Sequence, residues 1–155
     1  MKLGLSIGYS GARLELPVDR VLLAERLGFD SVWTAEAYGS DAVTPLAYLA
    51  AKTQRIRLGT GIMQLAGRTP AMAAMQAQTV NALAGGHRFI MGLGVSGPQI
   101  VEGWYGQPWG VPYYRLRDYM QIVRKISQRE APVSHEGRRS PCPTPGRAPA
   151  GWASR

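Results

Sequence analysis

Short apolar runs alternate with amphipathic segments from the start of the chain to about Ile126, the pattern of βα units that build a parallel sheet. Leu3, Leu5 and Ile7 mark a first strand over residues 2–8. Pro17 then stands where the first turn of a helix tolerates proline, Val18, Val21, Leu22 and Leu27 recur at three- and four-residue spacing, and Gly28 stops the helix. A second strand over 31–35 leads through Glu36-Ala-Tyr-Gly-Ser-Asp41 into a helix from about 42 to 53, and residues 56–61 form a third strand. Thr69-Pro70 supplies a cap and a proline at the first helical position. Met72, Met75, Thr79 and Leu83 then share one face of a helix ending at Gly85-Gly86. Residues 88–93 are the fourth strand. A loop rich in glycine, tryptophan and proline runs from Gly94 to about Pro112, followed by a helix with Leu116, Tyr119, Val123 and Ile126 on one side.

Strand starts recur about every 25 to 32 residues, the length of one βα unit, and right-handed crossovers curl such units into a barrel. A complete (β/α)8 barrel takes about 250 residues, and this chain has 155. The expected fold is therefore α/β, an incomplete (β/α)8 TIM barrel of about four units over 1–133. Residues 134–155 lack apolar periodicity and repeat proline, so they read as a disordered C-terminal tail.

Composition narrows the class. Apolar residues make up 45% of the chain, as in a globular protein, and no apolar run approaches the ~20 residues of a membrane span. A cytoplasmic protein that does not engage a membrane is expected. The net charge of +8 would suggest nucleic acid, but Arg138, Arg139, Arg147 and Arg155 crowd the tail while basic residues elsewhere are scattered singly. No nucleic-acid partner is expected. The one cysteine, Cys142, has no disulfide partner, and no set of metal ligands is present.

Three constellations carry candidate chemistry. Gly92-Leu-Gly-Val-Ser-Gly97 is a literal G-x-G-x-x-G after a strand, but a dinucleotide site also needs a helix opening at the glycines and an acid about 20 residues on. The run leads instead into Pro98, Gly103, Trp104, Gly106 and Pro108, and Asp118 lies within a helical pattern, so a loop exposing its backbone at a barrel mouth is preferred. Leu58-Gly-Thr-Gly-Ile62 ends the third strand with glycines that either let a flat ligand approach the backbone or simply let a barrel close tightly. Glu36, after the second strand, either orients or protonates a bound substrate or cofactor, or caps the next helix or pairs with an arginine. Trp104, Tyr105, Trp109, Tyr113 and Tyr114 suit a ligand wall, a lid or an interface equally well. His87 precedes the fourth strand, on the stability-serving side of a barrel, and His135 lies in the tail; neither suggests catalysis.

Taken in order, Leu3-Gly-Leu-Ser-Ile7, Ala24-Glu-Arg-Leu-Gly-Phe-Asp-Ser-Val-Trp33, Ala35-Glu-Ala-Tyr-Gly-Ser-Asp-Ala42, Arg57-Leu-Gly-Thr-Gly-Ile62, Gly92-Leu-Gly-Val-Ser-Gly-Pro-Gln99 and Val101-Glu-Gly-Trp104 resemble the luciferase-like monooxygenase superfamily. Within it the chain is similar to the coenzyme F420-dependent oxidoreductases around methylenetetrahydromethanopterin reductase, over residues 1 to about 133. The resemblance implies a TIM barrel with a deazaflavin across its C-terminal mouth, and hydride passing between the ring's C5 and a small-molecule substrate. FMN is the alternative cofactor. It also implies a non-prolyl cis peptide behind the ring, here Gly61-Ile62, an acidic position at Glu36, and a pocket loop at Gly94, Val95, Ser96 and Gly97. The glycine-rich loops that hold the cofactor phosphate in the family lie in the second half of its barrel.

The tail suggests a shifted reading frame. Codons for residues 141–155 exist that, read from the last base of the Pro141 codon, give Leu-Pro-Tyr-Thr-Gly-Pro-Gly-Ala-Gly-Gly-Leu-Gly-Lys-Pro, which is similar to the family's continuation. The expected activity is thus F420- or flavin-dependent hydride transfer, impaired by truncation. The alternative is a non-catalytic barrel fragment that pairs with another chain, or a degraded gene product. Open barrel edges invite dimerisation or aggregation, and a homodimer through those edges is the partner reading.

Overall fold

A computed structural model describes residues 1–136; residues 137–155, with Cys142 and most of the tail and its reading-frame argument, lie outside the described residues. Two compact units are present, one formed by Met1–Gln64 with Gln76–Gly94, the other by Leu65–Met75 with the chain from Val95 onward.

Among the described residues, the first unit holds all the strands. β1 (Gly4–Gly8), β2 (Ser31–Thr34), β3 (Arg57–Thr60) and β5 (Phe89–Ile90) form one parallel sheet in that order, and β4 (Met63–Gln64) pairs in parallel with β6 (Leu93–Gly94). Helix α1 (Val18–Arg26) follows β1 and α2 (Thr44–Lys52) follows β2, as the sequence leads one to expect. Adjacent strands in a parallel sheet need such crossovers, and this order is the one successive βα units produce.

Register explains the core. Val32 pairs with Leu58 and Leu58 with Phe89, while Val32, Leu58, Val21 of α1, and Leu46 and Leu49 of α2 are fully buried. One residue along, Ser6, Trp33, Gly59 and Ile90 align across the four strands on the opposite face. Glycine at Gly28 adopts φ +82 just past α1, where an L side chain would be strained.

The third and fourth strands differ from expectation. Each is broken in two, β3 and β4 flanking Gly61-Ile62, β5 and β6 flanking Met91-Gly92. The helix after β4, α3 (Pro70–Leu83), starts at the expected cap, with Met72 N–H donating to Thr69 Oγ1 at 3.2 Å. Its buried positions, however, are Ala73, Ala74 and Val80, whereas Met72, Met75, Thr79 and Leu83 are exposed. Apolar residues surround this helix on most sides, so periodicity could not choose a face; the small side chains sit inward and the long ones outward.

The second unit contains α4 (Pro98–Val101) and α5 (Pro112–Gln128). Expectation placed an uninterrupted loop from Gly94 to Pro112. Instead a single helical turn opens at Pro98 and buries Ile100 and Val101. Helix α5 buries Tyr119, Ile122, Val123 and Ile126, close to the predicted stripe, together with Asp118.

Polar staples fix the strand-entry end of the first unit. The half-buried Arg88 guanidinium donates to the carbonyls of Ala84, Ala50, Thr53 and Ile56 and to Thr53 Oγ1, at 2.8 to 3.1 Å. It thereby binds the C-terminal ends of α2 and α3, where orphan carbonyls and the helix dipole favour a cation, to the chain entering β3. Glu25 Oε1 accepts the main-chain N–H groups of Ile56 (2.8 Å), Arg55 (2.6 Å) and Gln54 (2.9 Å). Asp30 pairs with Arg57 and lies 3.8 Å from Lys2.

Arg88→Ala, which orphans these carbonyls, is expected to cost about 3 kcal/mol in urea unfolding. Arg88→Lys keeps the charge without the fork and should recover less than half of that loss. At Glu25, partial burial pushes the carboxyl pKa up, and the main-chain donors of Ile56, Arg55 and Gln54, aided by the Arg55 charge, outweigh it, leaving a value below the ordinary 4.5. A lowered folded pKa adds stability above the unfolded value and loses it as pH falls through the folded one. Glu25→Gln should therefore flatten the acid limb of a stability–pH curve below about pH 4.5, with a loss near neutrality of about 1 kcal/mol after solvent screening.

Candidate functional site

The C-terminal ends of the strands, where parallel α/β folds put their chemistry, are organised around Glu36. Its side chain is buried, 6% exposed. Oε2 accepts the Ala42 N–H at 3.0 Å, Oε1 accepts the Gln64 N–H at 2.9 Å, and the Glu36 carbonyl accepts the Gln64 side-chain amide at 2.7 Å. One residue thus ties the end of β2 to β4 and to the approach of α2. Capping of α2 itself falls to Asp41, whose Oδ1 takes the N–H groups of Val43 and Thr44, both at 2.7 Å.

Gly61-Ile62 is a cis peptide, at the position the family resemblance implied. The Gly61 N–H donates to the Thr34 carbonyl at 2.6 Å and the Met63 N–H to that of Gly92 at 2.8 Å, so both sides of the bond are anchored to neighbouring strands. Thr60 governs the break between strands: its hydroxyl accepts the Gly92 N–H and donates to the Gly92 carbonyl, each at 2.9 Å. A Cβ at Gly92 would stand 2.1 Å from the Thr60 carbonyl oxygen. Ile62 lies over Gly94, where an added Cβ would meet its Cδ1 at 2.6 Å. Glu36, Gly61, Ile62 and Gly94 therefore belong to one arrangement within the first unit.

Val95, Ser96 and Gly97 belong to the second unit. Ser96 has φ +58, a left-handed conformation uncommon for a residue with a side chain. Gly97 precedes α4, and a Cβ there would meet the Gln99 side chain at 2.6 Å.

Gly59 differs in kind. A Cβ on it would lie 2.4 Å from Cε3 of Trp33, and one on Gly4 would lie 3.0 Å from Nε1 of the same indole. Trp33, steadied by donating to Ser31 Oγ at 2.9 Å, spreads across both flanking strands. At Gly59 the space belongs to the chain's own side chain. At Gly61, itself exposed, an added Cβ would make only ordinary contact, 3.6 Å from Cε3 of Trp33 and 3.9 Å from the Thr34 carbonyl.

A small cleft lies at the ends of β1 and β2, lined by Gly8, Ser10, Glu15, Thr34 and Ser40 among others. The Ser10 N–H donates to Ser40 Oγ at 3.0 Å, and Gly39 is pressed against the Ser10 carbonyl. The aromatic residues of 104–114 are spread out: Trp104 and Tyr113 are exposed, Tyr113 and Tyr114 meet edge to face, and Tyr105 lies against Gly67. His87 is exposed, and His135 Nε2 lies 3.7 Å from Asp118 Oδ1. Among the described residues no three metal-ligating side chains cluster, and no helix is long and apolar enough to cross a membrane.

Sequence reasoning singled out neither Gln64 nor Arg88, and read Thr60 and Gly92 only as members of their glycine runs. A hydroxyl residue between two glycines at a strand end was the available signal for Thr60; nothing in the sequence marks Gln64.

Residues 2–151 match the family described as luciferase-like monooxygenase. The chain belongs to that family. A Mycobacterium tuberculosis protein described as a candidate coenzyme F420-dependent oxidoreductase is 55% identical over 138 residues, 88% of this chain and 40% of that protein. The 5,10-methylenetetrahydromethanopterin reductase of Archaeoglobus fulgidus is 34% identical over 76% of this chain and 35% of its own length. Among solved structures, the coenzyme F420-dependent tetrahydromethanopterin reductase of Methanopyrus kandleri superposes with a TM-score of 0.77 at 22% identity, over 93% of this chain and 45% of that one. The parallel α/β architecture is thus that of the family's barrels, and the chain spans less than half the length of these relatives. The family match runs to residue 151, beyond the boundary near 133 expected from the motifs.

Glu36→Gln sets an amide NH2 against a main-chain N–H and is expected to cost about 2 to 3 kcal/mol in chemical denaturation. Gly92→Ala, forcing backbone apart at Thr60, should cost about 3 kcal/mol or more. A variant at either position as stable as the parent contradicts the strand-end arrangement described.

Proposed function

We propose that this chain is the N-terminal part of a coenzyme F420-dependent oxidoreductase, comprising the first four units of a (β/α)8 barrel, and that its strand ends hold the deazaflavin ring. When bound, the deazaflavin supplies a carbon, C5, that gives or takes a hydride, here exchanged with a small organic substrate. The observation that carries the reading is the strand-end arrangement of β4 with β6, seen in a chain 55% identical to a relative described by F420 dependence.

The residues fit such a ring. Gly61 is exposed and bears no side chain, Ile62 offers an aliphatic surface held over Gly94, and the carboxyl oxygens of Glu36 are turned onto main-chain N–H groups. A flat, largely apolar ring can lie there without desolvating an unpaired charge. In this reading Glu36 is a positioning residue that sets β4, and Gly94 supplies backbone to the pocket.

Titrating the 155-residue chain separately with F420 and with FMN, and following ring fluorescence, tests the proposal. Saturable binding of F420, tighter than FMN, is expected; binding of neither overturns it. Gly61→Ala fits sterically, so it should leave the unfolding midpoint nearly unchanged while weakening F420 about tenfold, or about 1.4 kcal/mol.

A further inference from the structure

Between the two halves of the third and fourth strands the register changes. Gly59 pairs with Ile90 and Met63 with Leu93, so the third strand advances four residues where the fourth advances three. An extra residue on one strand leaves main-chain groups without ladder partners. The N–H groups of Gly61 and Met63 find main-chain acceptors, the carbonyls of Thr34 and Gly92. The Gly92 N–H goes instead to a side chain, the hydroxyl of fully buried Thr60, and that hydroxyl gives its own proton to the Gly92 carbonyl, each at 2.9 Å. A hydroxyl can do this because it donates and accepts at one atom, whereas a main-chain N–H or C=O does only one of the two. The close approach needs glycine at position 92, where a Cβ would stand 2.1 Å from the Thr60 carbonyl oxygen.

This clamp lies next to the surface assigned to the ring. Ile62 follows Thr60 by two positions and Gly94 follows Gly92 by two, and Ile62 lies over Gly94, its Cδ1 2.6 Å from where a Cβ would stand. We propose that Thr60 is a positioning residue for the cofactor ring: by holding both main-chain groups of Gly92, its hydroxyl fixes the distance between the limbs that carry Ile62 and Gly94, and so the surface they offer. The inference rests on the deazaflavin reading above. Being fully buried, Thr60 acts only through that surface. By reciprocity, a clamp that favours F420 must itself be favoured by bound F420.

Amide hydrogen exchange on the 155-residue chain, read by NMR, together with F420 titration by ring fluorescence, tests this. Thr60→Val keeps the shape and removes the hydroxyl. It should speed exchange at Gly92 and Met63 at least about tenfold more than at Thr53, at the strand-entry end, and weaken F420 about tenfold. Thr60→Ser keeps the hydroxyl and should bind F420 within about twofold of the parent. Thr53→Val removes a likewise buried hydroxyl, one that donates to the Leu49 carbonyl and accepts from Arg88. It should lower the urea midpoint and leave F420 affinity unchanged. On the unaltered chain, saturating F420 should slow exchange at Gly92, a readout that needs no substitution. Parental exchange at Gly92 in Thr60→Val, a rise of equal size at every amide, no rescue by serine, or an equal loss of affinity in Thr53→Val overturns the proposal. Unchanged exchange at Gly92 on saturation with F420 overturns it as well, even where the valine variant does not fold. A parent that binds neither cofactor rejects the functional reading, with exchange at Gly92 still deciding whether Thr60 holds the break; a parent that binds F420 no better than Thr60→Val does rejects the positioning role alone.

Discussion

A buried carboxyl group must find donors inside the protein, and Glu36 finds two of them where separate stretches of main chain come to it. Ala42 arrives from the approach to α2 and Gln64 from β4, the second piece of the broken third strand. Gln64 answers with its own side chain on the Glu36 carbonyl, so the contact is reciprocal. Once it is made, the path of residues 61–64 is set, and with it the pairing of β4 to β6 and the seat of Ile62 over Gly94. The strand ends are ordered by one side chain's need for hydrogen bonds.

The strand-entry end has a complementary logic. There the problem is orphan carbonyls at helix ends, and Arg88 meets it with a planar fork of donors. Glu25 does the converse for three N–H groups at the turn into β3. Stability at one end and exposed backbone at the other is the division of labour expected of parallel α/β folds. With the entry end held by side chains, the ends beyond Thr60 and Ile90 are free to break and to present irregular backbone.

What could be read from sequence depended on the range of the cause. The strands and helices follow from local periodicity, and the cap at Thr69 and the stops at Gly28 and Gly85 from local chemistry. The exposed face of α3 was not legible, because Ala, Met and Val occur almost all round it and only tertiary contact chooses among them. Gln64 was invisible for a related reason: its partner, Glu36, is 28 residues away, and a glutamine before a leucine carries no local signal. Glu36, Gly61, Ile62 and Gly94 entered the sequence reading only through an ordered set of motifs shared with a family, because no single one specifies a role.

The glycines give the clearest case of a motif whose cause lies elsewhere. Gly92, Gly94 and Gly97 read as a nucleotide fingerprint, yet their surroundings differ: a Cβ would meet the Thr60 carbonyl at Gly92, the Ile62 side chain at Gly94, and only the movable end of Gln99 at Gly97. Unrelated local surroundings can therefore stand behind the same letters as a phosphate-binding turn. Gly59 and Gly4 answer a demand set by one indole, and their spacing across neighbouring strands cannot be read along the chain. Gly61 differs from these in degree: a Cβ there would make only ordinary contact, 3.6 Å from Cε3 of the same indole and 3.9 Å from the Thr34 carbonyl, so no steric demand within the first unit accounts for a glycine at this position.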